Sequence, residues 1–276
     1  MNKDTRQQIE TRIDADRARA LHATLGRPGS PPGEGDALPT FWHWTQFWIT
    51  EPPDRLGRDG HPAHGDHLPD TGLPRRMWAG GALDFHAPLI IGMQAKRVST
   101  AGPVVKKQGR SGPLAFLTIT HEVFQDGRLC IHETQDLVFR EDPAPGAPAP
   151  STKPAPTDAD WRKDLQAGTT ELFRYSALTF NGHRIHYDLP YAREVEGYAG
   201  LVVHGPLMAQ RLVELAEDNL GPLSRFTFRA LAPVMHTDPF SACGNAAGTG
   251  QSDLWIRRED GALAMTASAI SRTSTR

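Results

Sequence analysis

Residues 180–188 read FNGHRIHYD, and within them His183 and His186 stand three apart beside Asn181, Arg184 and Asp188. A stretch this dense in polar groups, bordered by Tyr175, Leu178, Phe180, Ile185 and Tyr187, is either a surface turn or a reaction site. If it opens a helical turn, the spacing puts both imidazoles on one face, and Asn181 suits the cap of that turn. A neutral imidazole accepts a proton from water near neutral pH. Further along, VVHGPLM (202–208) sets Gly205 ahead of Pro206 at a helix start. Free backbone N–H groups there stabilise negative charge developing on oxygen, and a glycine admits close approach. A base and an oxyanion site together suffice for chemistry beside a thioester carbonyl. A lone histidine is more often a polar residue with a satisfied hydrogen bond, so these residues alone leave turn and site both open. A zinc reading of His183, His186 and His204 has no cysteine or His-Glu-x-x-His pattern behind it.

The surrounding chain must supply elements to hold these groups. Residues 5–25 have Ile9, Ile13, Ala20 and Leu21 at loosely helical spacing, and RPGSPPGEGDALP (27–39) is a loop. FWHWTQFW (41–48) is expected as a core or interface helix. Residues 56–76 carry His61, His64 and His67 at a spacing that invites a metal, but their Gly and Pro neighbours predict a flexible, solvated loop. Residues 79–140 change to strand patterning, with QDGR (125–128) as a hairpin turn. Residues 141–160 are rich in Pro and Ala and read as a stiff linker. A helix runs from Pro206, with Leu207, Leu212, Leu215 and Ala216 on its apolar face, to Gly221. Strands follow, with an Asp-Gly hairpin in REDGALA. The outline is two similar α+β units, 1–140 and 161–276, joined by the linker 141–160.

A chain of 276 residues with net charge −2 has ample length for a core and no basic field for nucleic acid. Cys130 and Cys243 lie far apart and suggest a reducing compartment without a disulfide framework. The first residues mix Asp, Glu and Arg without an apolar run, unlike a secretory signal. Nothing approaches the roughly 20 apolar residues of a membrane helix. The expectation is a soluble, cytoplasmic protein with no membrane or nucleic-acid partner.

LTFNGHRIHYDLPYA followed by GYAGLVVHGPLMAQRL resembles the signature segment of the MaoC-like, R-specific enoyl-CoA hydratases. The resemblance implies a tandem hot-dog fold of class α+β, each half an antiparallel sheet wrapped around a central helix, with a degenerate first half and a catalytic second half. In that family an Asp, and a His five residues later, flank the nucleophilic water. Here His186 matches the histidine, Gly205 matches the glycine whose N–H meets the thioester carbonyl, and Asn181 stands where the aspartate would be. The family's Asn-Pro pair is replaced by His183-Arg184. LPRRMWAGGALDF (73–85), residues 106–123 and ETQDLVFRE (133–141) are similar to the dehydratase half of fatty-acid-synthase-like enzymes. Together these segments point to the branch holding hydroxyacyl-thioester dehydratases and mesaconyl-C4-CoA or itaconyl-CoA hydratases.

The resemblance implies reversible addition of water to a short 2-enoyl-CoA, with no cofactor beyond the CoA of the substrate. His186 is the expected base and Gly205 the oxyanion donor. An amide cannot carry protons, so Asn181 only positions the water. Asp188, His183 and His204 are candidate supporting groups. Arg184 and Arg110 are candidates for an acyl carboxylate, and Lys106, Lys107, Arg75, Arg76 and Arg110 for the phosphates of CoA. A homodimer is a further expectation. The competing readings are an acyl-carrier dehydratase, a hot-dog thioesterase, which would need an early carboxylate on the active helix, and a non-catalytic acyl-binding subunit.

Overall fold

The computed structural model describes residues 6–63, 68–109, 112–142 and 151–272. The chain forms two compact units: Met1–Trp78, Phe85–Asp142 and Phe173–Arg184 make the N-terminal unit, and Ala79–Asp84, Pro143–Leu172 and Ile185–Arg276 the C-terminal unit.

In the N-terminal unit the first segment is a strand and a helix rather than one helix. β1 (Arg6–Arg12) pairs antiparallel with β3 (Gln94–Ala101), alternating exposed and half-buried side chains. The chain turns at Asp14, whose carboxylate accepts the Arg17 N–H at 2.9 Å and caps α1 (Ala15–Leu25). Gly26, at φ 63, ends that helix in the left-handed conformation. FWHWTQFW forms only a 3-10 turn, Trp42–Thr45, because Phe41 ahead of it sits at φ 74 and breaks any helical run. Its aromatic content is buried as expected: Phe41, Trp42 and Phe47 are in the core.

β2 (Arg75–Phe85), β3, β4 (Val105–Gly109), β5 (Gly112–Gln125) and β6 (Arg128–Arg140) follow. β5 pairs antiparallel with β3, β4 and β6. Its alternation is clean, with Ala115, Leu117, Ile119, His121, Val123 and Gln125 buried. The β5–β6 hairpin turns at Asp126 (φ 49) and Gly127 (φ 72), a pair of left-handed residues that a two-residue turn requires.

The C-terminal unit is built on α3 (Gly205–Leu220), with β7 (Trp161–Leu165), β8 (Leu223–Ala230), β9 (Phe240–Gly248), β10 (Gln251–Arg258) and β11 (Leu263–Ser271) all packed against it. The strands run antiparallel in the order β8-β11-β10-β9-β7. Ten consecutive residues of α3, Leu207–Ala216, are buried, so the helix has no solvent face over that span. Its buried charge is paired: the Arg211 guanidinium donates to Glu171 at 2.6 Å and to Glu214 at 3.1 Å. Glu171 lies in α2 (Thr169–Thr179), which contributes its first turn to this unit and the remainder to the N-terminal one.

The units are thus not divided by a single cut at the proline-rich segment, of which residues 143–150 lie outside the described residues. Gly80–Asp84 of β2 belong with the C-terminal unit because they pair antiparallel with Arg225–Arg229 of β8. A Cβ at Gly80 would come within 2.4 Å of the Phe228 carbonyl oxygen, so that pairing requires the glycine.

Candidate active site

The opening motif is shaped by Asn181. Its side-chain oxygen accepts the His183 N–H at 3.0 Å, while its own N–H reaches the Ser176 carbonyl at 2.8 Å. Phe180, at φ 51, completes the exit from α2. A short 3-10 turn, Arg184–His186, follows. The expected cap is therefore present as an Asx turn, and the group Asn181 has left to offer a water is chiefly its NH2.

In the C-terminal unit one residue, Val202, grips His186 from the backbone. Its N–H donates to the Ile185 carbonyl at 3.0 Å, and its carbonyl accepts from His186 Nδ1 at 2.7 Å. A carbonyl only accepts, so Nδ1 carries the proton and the neutral ring presents Nε2 as its basic atom. Val202 is itself fixed, bridging to Met235, while Val203 N–H donates to the Val234 carbonyl at 2.8 Å.

Two residues on, the fully buried His204 stacks its ring on His186, with centroids 3.7 Å apart and planes 21° apart. Stacking fixes the plane of the base, and two imidazoles this close do not both take a charge cheaply. The His204 carbonyl accepts the Met208 N–H at 3.1 Å as α3 begins. Gly205 is the first helical residue, and a Cβ there would meet nothing within 4 Å. Neither conformation nor crowding demands that glycine; its absent side chain leaves open space beside a helix N-terminus. An imidazole oriented through its Nδ1 and a helix start whose first residue has no side chain thus share one unit.

The other predicted residues have settings of their own. The Asp188 carboxylate accepts the Tyr191 N–H at 3.1 Å and its carbonyl the Ala192 N–H at 2.9 Å, so it caps the helical turn Tyr191–Val195. Arg184 donates from Nη1 to the Arg58 carbonyl at 3.1 Å and from its N–H to the Asp59 carbonyl at 2.9 Å. Lys106 and Lys107 are exposed on β4, with Lys107 over the Phe116 ring at 5.2 Å. Arg75 is buried. Arg110, with His64 and His67, lies outside the described residues.

His61 corrects the expectation of a solvated loop. Its Nδ1 is 3.1 Å from Asp59 Oδ2 and its ring centroid 4.5 Å from that of the buried His183. Asp59-Gly60-His61 repeats Asn181-Gly182-His183 in geometry as well as in sequence: Asp59 Oδ1 accepts the His61 N–H at 3.0 Å, the bond Asn181 makes to His183. The two turns meet at their glycines, where a Cβ on Gly60 would come within 2.1 Å of the Gly182 oxygen and one on Gly182 within 2.4 Å of the Gly60 oxygen. The repeated Asx-Gly-His tripeptide was the available sequence signal for this pair. Burial acts to raise the Asp59 carboxyl, but the His61 hydrogen bond and the charges of His61, Arg76 and His183 outweigh it and hold it well below the usual carboxylate range. Among the described residues, Asp59, His61 and His183 are the one group of three whose donor atoms lie within 4.8 Å of one another as a metal would need.

This pairing of an enclosed central helix with an antiparallel sheet is the hot-dog architecture. A MaoC-like dehydratase from Phytophthora capsici superposes with a TM-score of 0.71 at 10% identity, covering 98% of this chain and 96% of its own. A family model for hydroxyacyl-thioester dehydratase type 2 matches residues 41–236. Mesaconyl-C(4)-CoA hydratase of Chloroflexus aurantiacus is 43% identical over 95% of this chain and 93% of its own length. The mitochondrial hydroxyacyl-thioester dehydratase type 2 of Schizosaccharomyces pombe is 27% identical over 80% of this chain and 81% of its own. The chain belongs to the hydroxyacyl-thioester dehydratase type 2 family and is a hydro-lyase.

Proposed function

We propose that this protein is a hydratase of short 2-enoyl-CoA thioesters whose acyl group carries a second carboxylate, as in mesaconyl-CoA or itaconyl-CoA. The observation that carries the reading is the His186 Nδ1–Val202 carbonyl bond, because it makes Nε2 the basic atom in the unit whose α3 opens at Gly205, where a side chain would meet nothing within 4 Å. The 43% relative supports hydration and a dicarboxylic acyl group over the dehydratase reading, which rests on more distant relatives.

In the reaction the water oxygen attacks Cβ as His186 Nε2 takes its proton. The C=C electrons move to the thioester oxygen, and the Gly205 N–H stabilises the resulting enolate. As the enolate collapses, Cα takes the proton back from the His186 imidazolium, so one histidine does both transfers. Asn181 holds the water and moves no proton. Val202 and His204 position the ring. The reverse sequence dehydrates a 3-hydroxyacyl thioester with the same groups.

A panel of crotonyl-, mesaconyl-, itaconyl- and long-chain enoyl-CoA, followed by loss of the conjugated enoyl absorbance, tests this. Hydration with a preference of tenfold or more in kcat/KM for a dicarboxylic thioester is expected. Equal rates on long linear chains would sink the dicarboxylate assignment. Release of free CoA thiol in place of hydration would return the chain to the thioesterase class.

A further inference from the structure

Two aromatic residues of the N-terminal unit have no role in the steps above: Trp48, which ends the run FWHWTQFW, and Phe180, which stands directly before Asn181. The geometry points to them as positioning residues, a clamp that fixes the backbone from which Asn181 holds the water. This rests on the reading of Asn181 given under the proposed function.

α2 ends in a Schellman motif. The Asn181 N–H reaches back to the Ser176 carbonyl at 2.8 Å, and the Phe180 N–H to the Ala177 carbonyl at 3.2 Å. In that motif the first residue past the cap takes the left-handed conformation, and glycine is its usual occupant because it has no Cβ to strain. Here the occupant is Phe180, at φ 51. Core packing does not account for a phenylalanine there, since 48% of it is exposed. Its ring instead stacks on Trp48, with centroids 5.0 Å apart and planes 18° apart. The gain from an aromatic stack and the strain of a left-handed residue with a side chain are of the same order, so one offsets the other.

Trp48 grips the same helix end a second time. The Schellman bonds use the carbonyls of Ser176 and Ala177 and leave that of Leu178, which accepts the Trp48 Nε1–H at 2.9 Å. Trp48 is in turn tied to α1. The Arg17 guanidinium lies 3.6 Å from the centre of its ring and donates from Nη1 to the Gln46 carbonyl at 3.2 Å.

The consequence falls on Asn181. Its N–H is committed to Ser176 and its side-chain oxygen to the His183 N–H, so the direction of its NH2 follows the backbone at 180 and 181. A glycine at 180 would reach the same φ with less strain, and many other conformations besides. A stacked phenylalanine holds one. Such precision matters to rate, because moving a positioning group by about 1 Å costs up to about 10²-fold.

The test compares kcat and KM on the preferred enoyl-CoA of the panel above for Phe180→Gly, Phe180→Tyr, Trp48→Leu and Trp48→Phe. The first and third are also made in an Asn181→Ala background. Phe180→Gly should lower kcat by about tenfold or more, with KM within about threefold and the thermal midpoint held. Phe180→Tyr, which keeps the ring, should recover most of that loss. Trp48→Leu should do similar harm, and Trp48→Phe, which keeps a ring but not the N–H, should fall between. In the Asn181→Ala background neither change should lower kcat further. If Trp48→Leu does not fold, Phe180→Gly decides, because nearly half of Phe180 lies in solvent.

Parental kcat in Phe180→Gly beside an impaired Asn181→Ala overturns the clamp and leaves the role of Asn181 standing. A further loss in the Asn181→Ala background overturns it too, since the aromatic pair would then act through another group. If Asn181→Ala turns over like the parent, the water-holding reading has failed and the clamp falls with it. A parent chain that hydrates nothing on the panel ends both.

Discussion

The two units use the same kind of antiparallel sheet against different fillings. In the C-terminal unit five strands pack on α3, whose middle is buried on every side, and the groups suited to chemistry sit where that helix begins. In the N-terminal unit the 3-10 turn Trp42–Thr45 meets the strands through His43 and Trp44, and the buried face of the strands is polar across three of them. Register sets Ser99 opposite His121 and His121 opposite Glu133. Ser99 Oγ bonds His121 Nδ1 at 2.8 Å, His121 Nε2 is 3.2 Å from Gln135 Oε1, and Glu133 Oε2 bonds His43 Nε2 at 2.9 Å. A helix leaves free N–H groups at its first turn and can aim them at a ligand. Paired strands consume theirs in the ladder, so an interior lined by strands has only side chains to offer, and here those side chains bind one another.

The largest effect is expected from breaking the C-terminal side of that contrast. His186→Ala removes the one side chain proposed to move protons, and kcat on the preferred enoyl-CoA should fall by about 10³-fold or more, with the thermal midpoint nearly unchanged. Turnover within tenfold of the parent chain would end the assignment. On the N-terminal side, Glu133→Ala strips a buried histidine of its partner. Breaking a buried pair costs about 3–5 kcal/mol, read as a fall in stability by denaturant titration. If Glu133→Ala instead abolished turnover in a chain of normal stability, the N-terminal interior would be catalytic and the comparison would fail.

Gly205→Ala is a milder probe. Nothing in the protein crowds that position, so stability should hold or rise by up to about 1 kcal/mol. The methyl group would occupy space assigned to the thioester, and kcat/KM should fall by roughly 10- to 100-fold. Unchanged kinetics would show that the helix start receives no substrate oxygen.

What was legible in the sequence is what short-range chemistry decides. Pro206 and Gly221 bracketed α3, Asp126-Gly127 marked its hairpin, and Asn181 capped its turn, each through bonds to near neighbours. The orienting partner of His186 was out of reach because it is a backbone carbonyl sixteen residues on, and every residue owns one. Asp188 drew attention as the nearest carboxylate, and its side-chain oxygen caps the next turn. His61 looked solvated among glycines and prolines; only the meeting of two turns far apart in sequence makes it half of a pair. Ile9 and Ile13 fit a helical spacing, whereas β3 supplies the partner that makes the segment Arg6–Arg12 a strand.

The smallest expected effect probes how the N-terminal interior holds its histidines. Burial pushes the His121 imidazole down to about 4; the Glu133 carboxylate pulls it back up, and Arg97 pushes it further down. An unfolded histidine titrates near 6.5, so the native state binds this proton less readily than the unfolded chain. The stability contributed by keeping His121 neutral is complete above about pH 6.5 and drains as the pH falls from there towards 4. Between pH 7.5 and 5 the loss from this one group is roughly 2 kcal/mol. Denaturant titrations at several pH values, read by tryptophan fluorescence because Trp44 packs 6.3 Å from the His121 ring, should show that slope in the parent chain. His121→Gln, with no group to titrate, should be less stable at pH 7.5 and lose less on acidification. Equal slopes in the two proteins would mean that His121 exchanges protons with water in the native state, and that the N-terminal interior is wet where its strands pack it as dry.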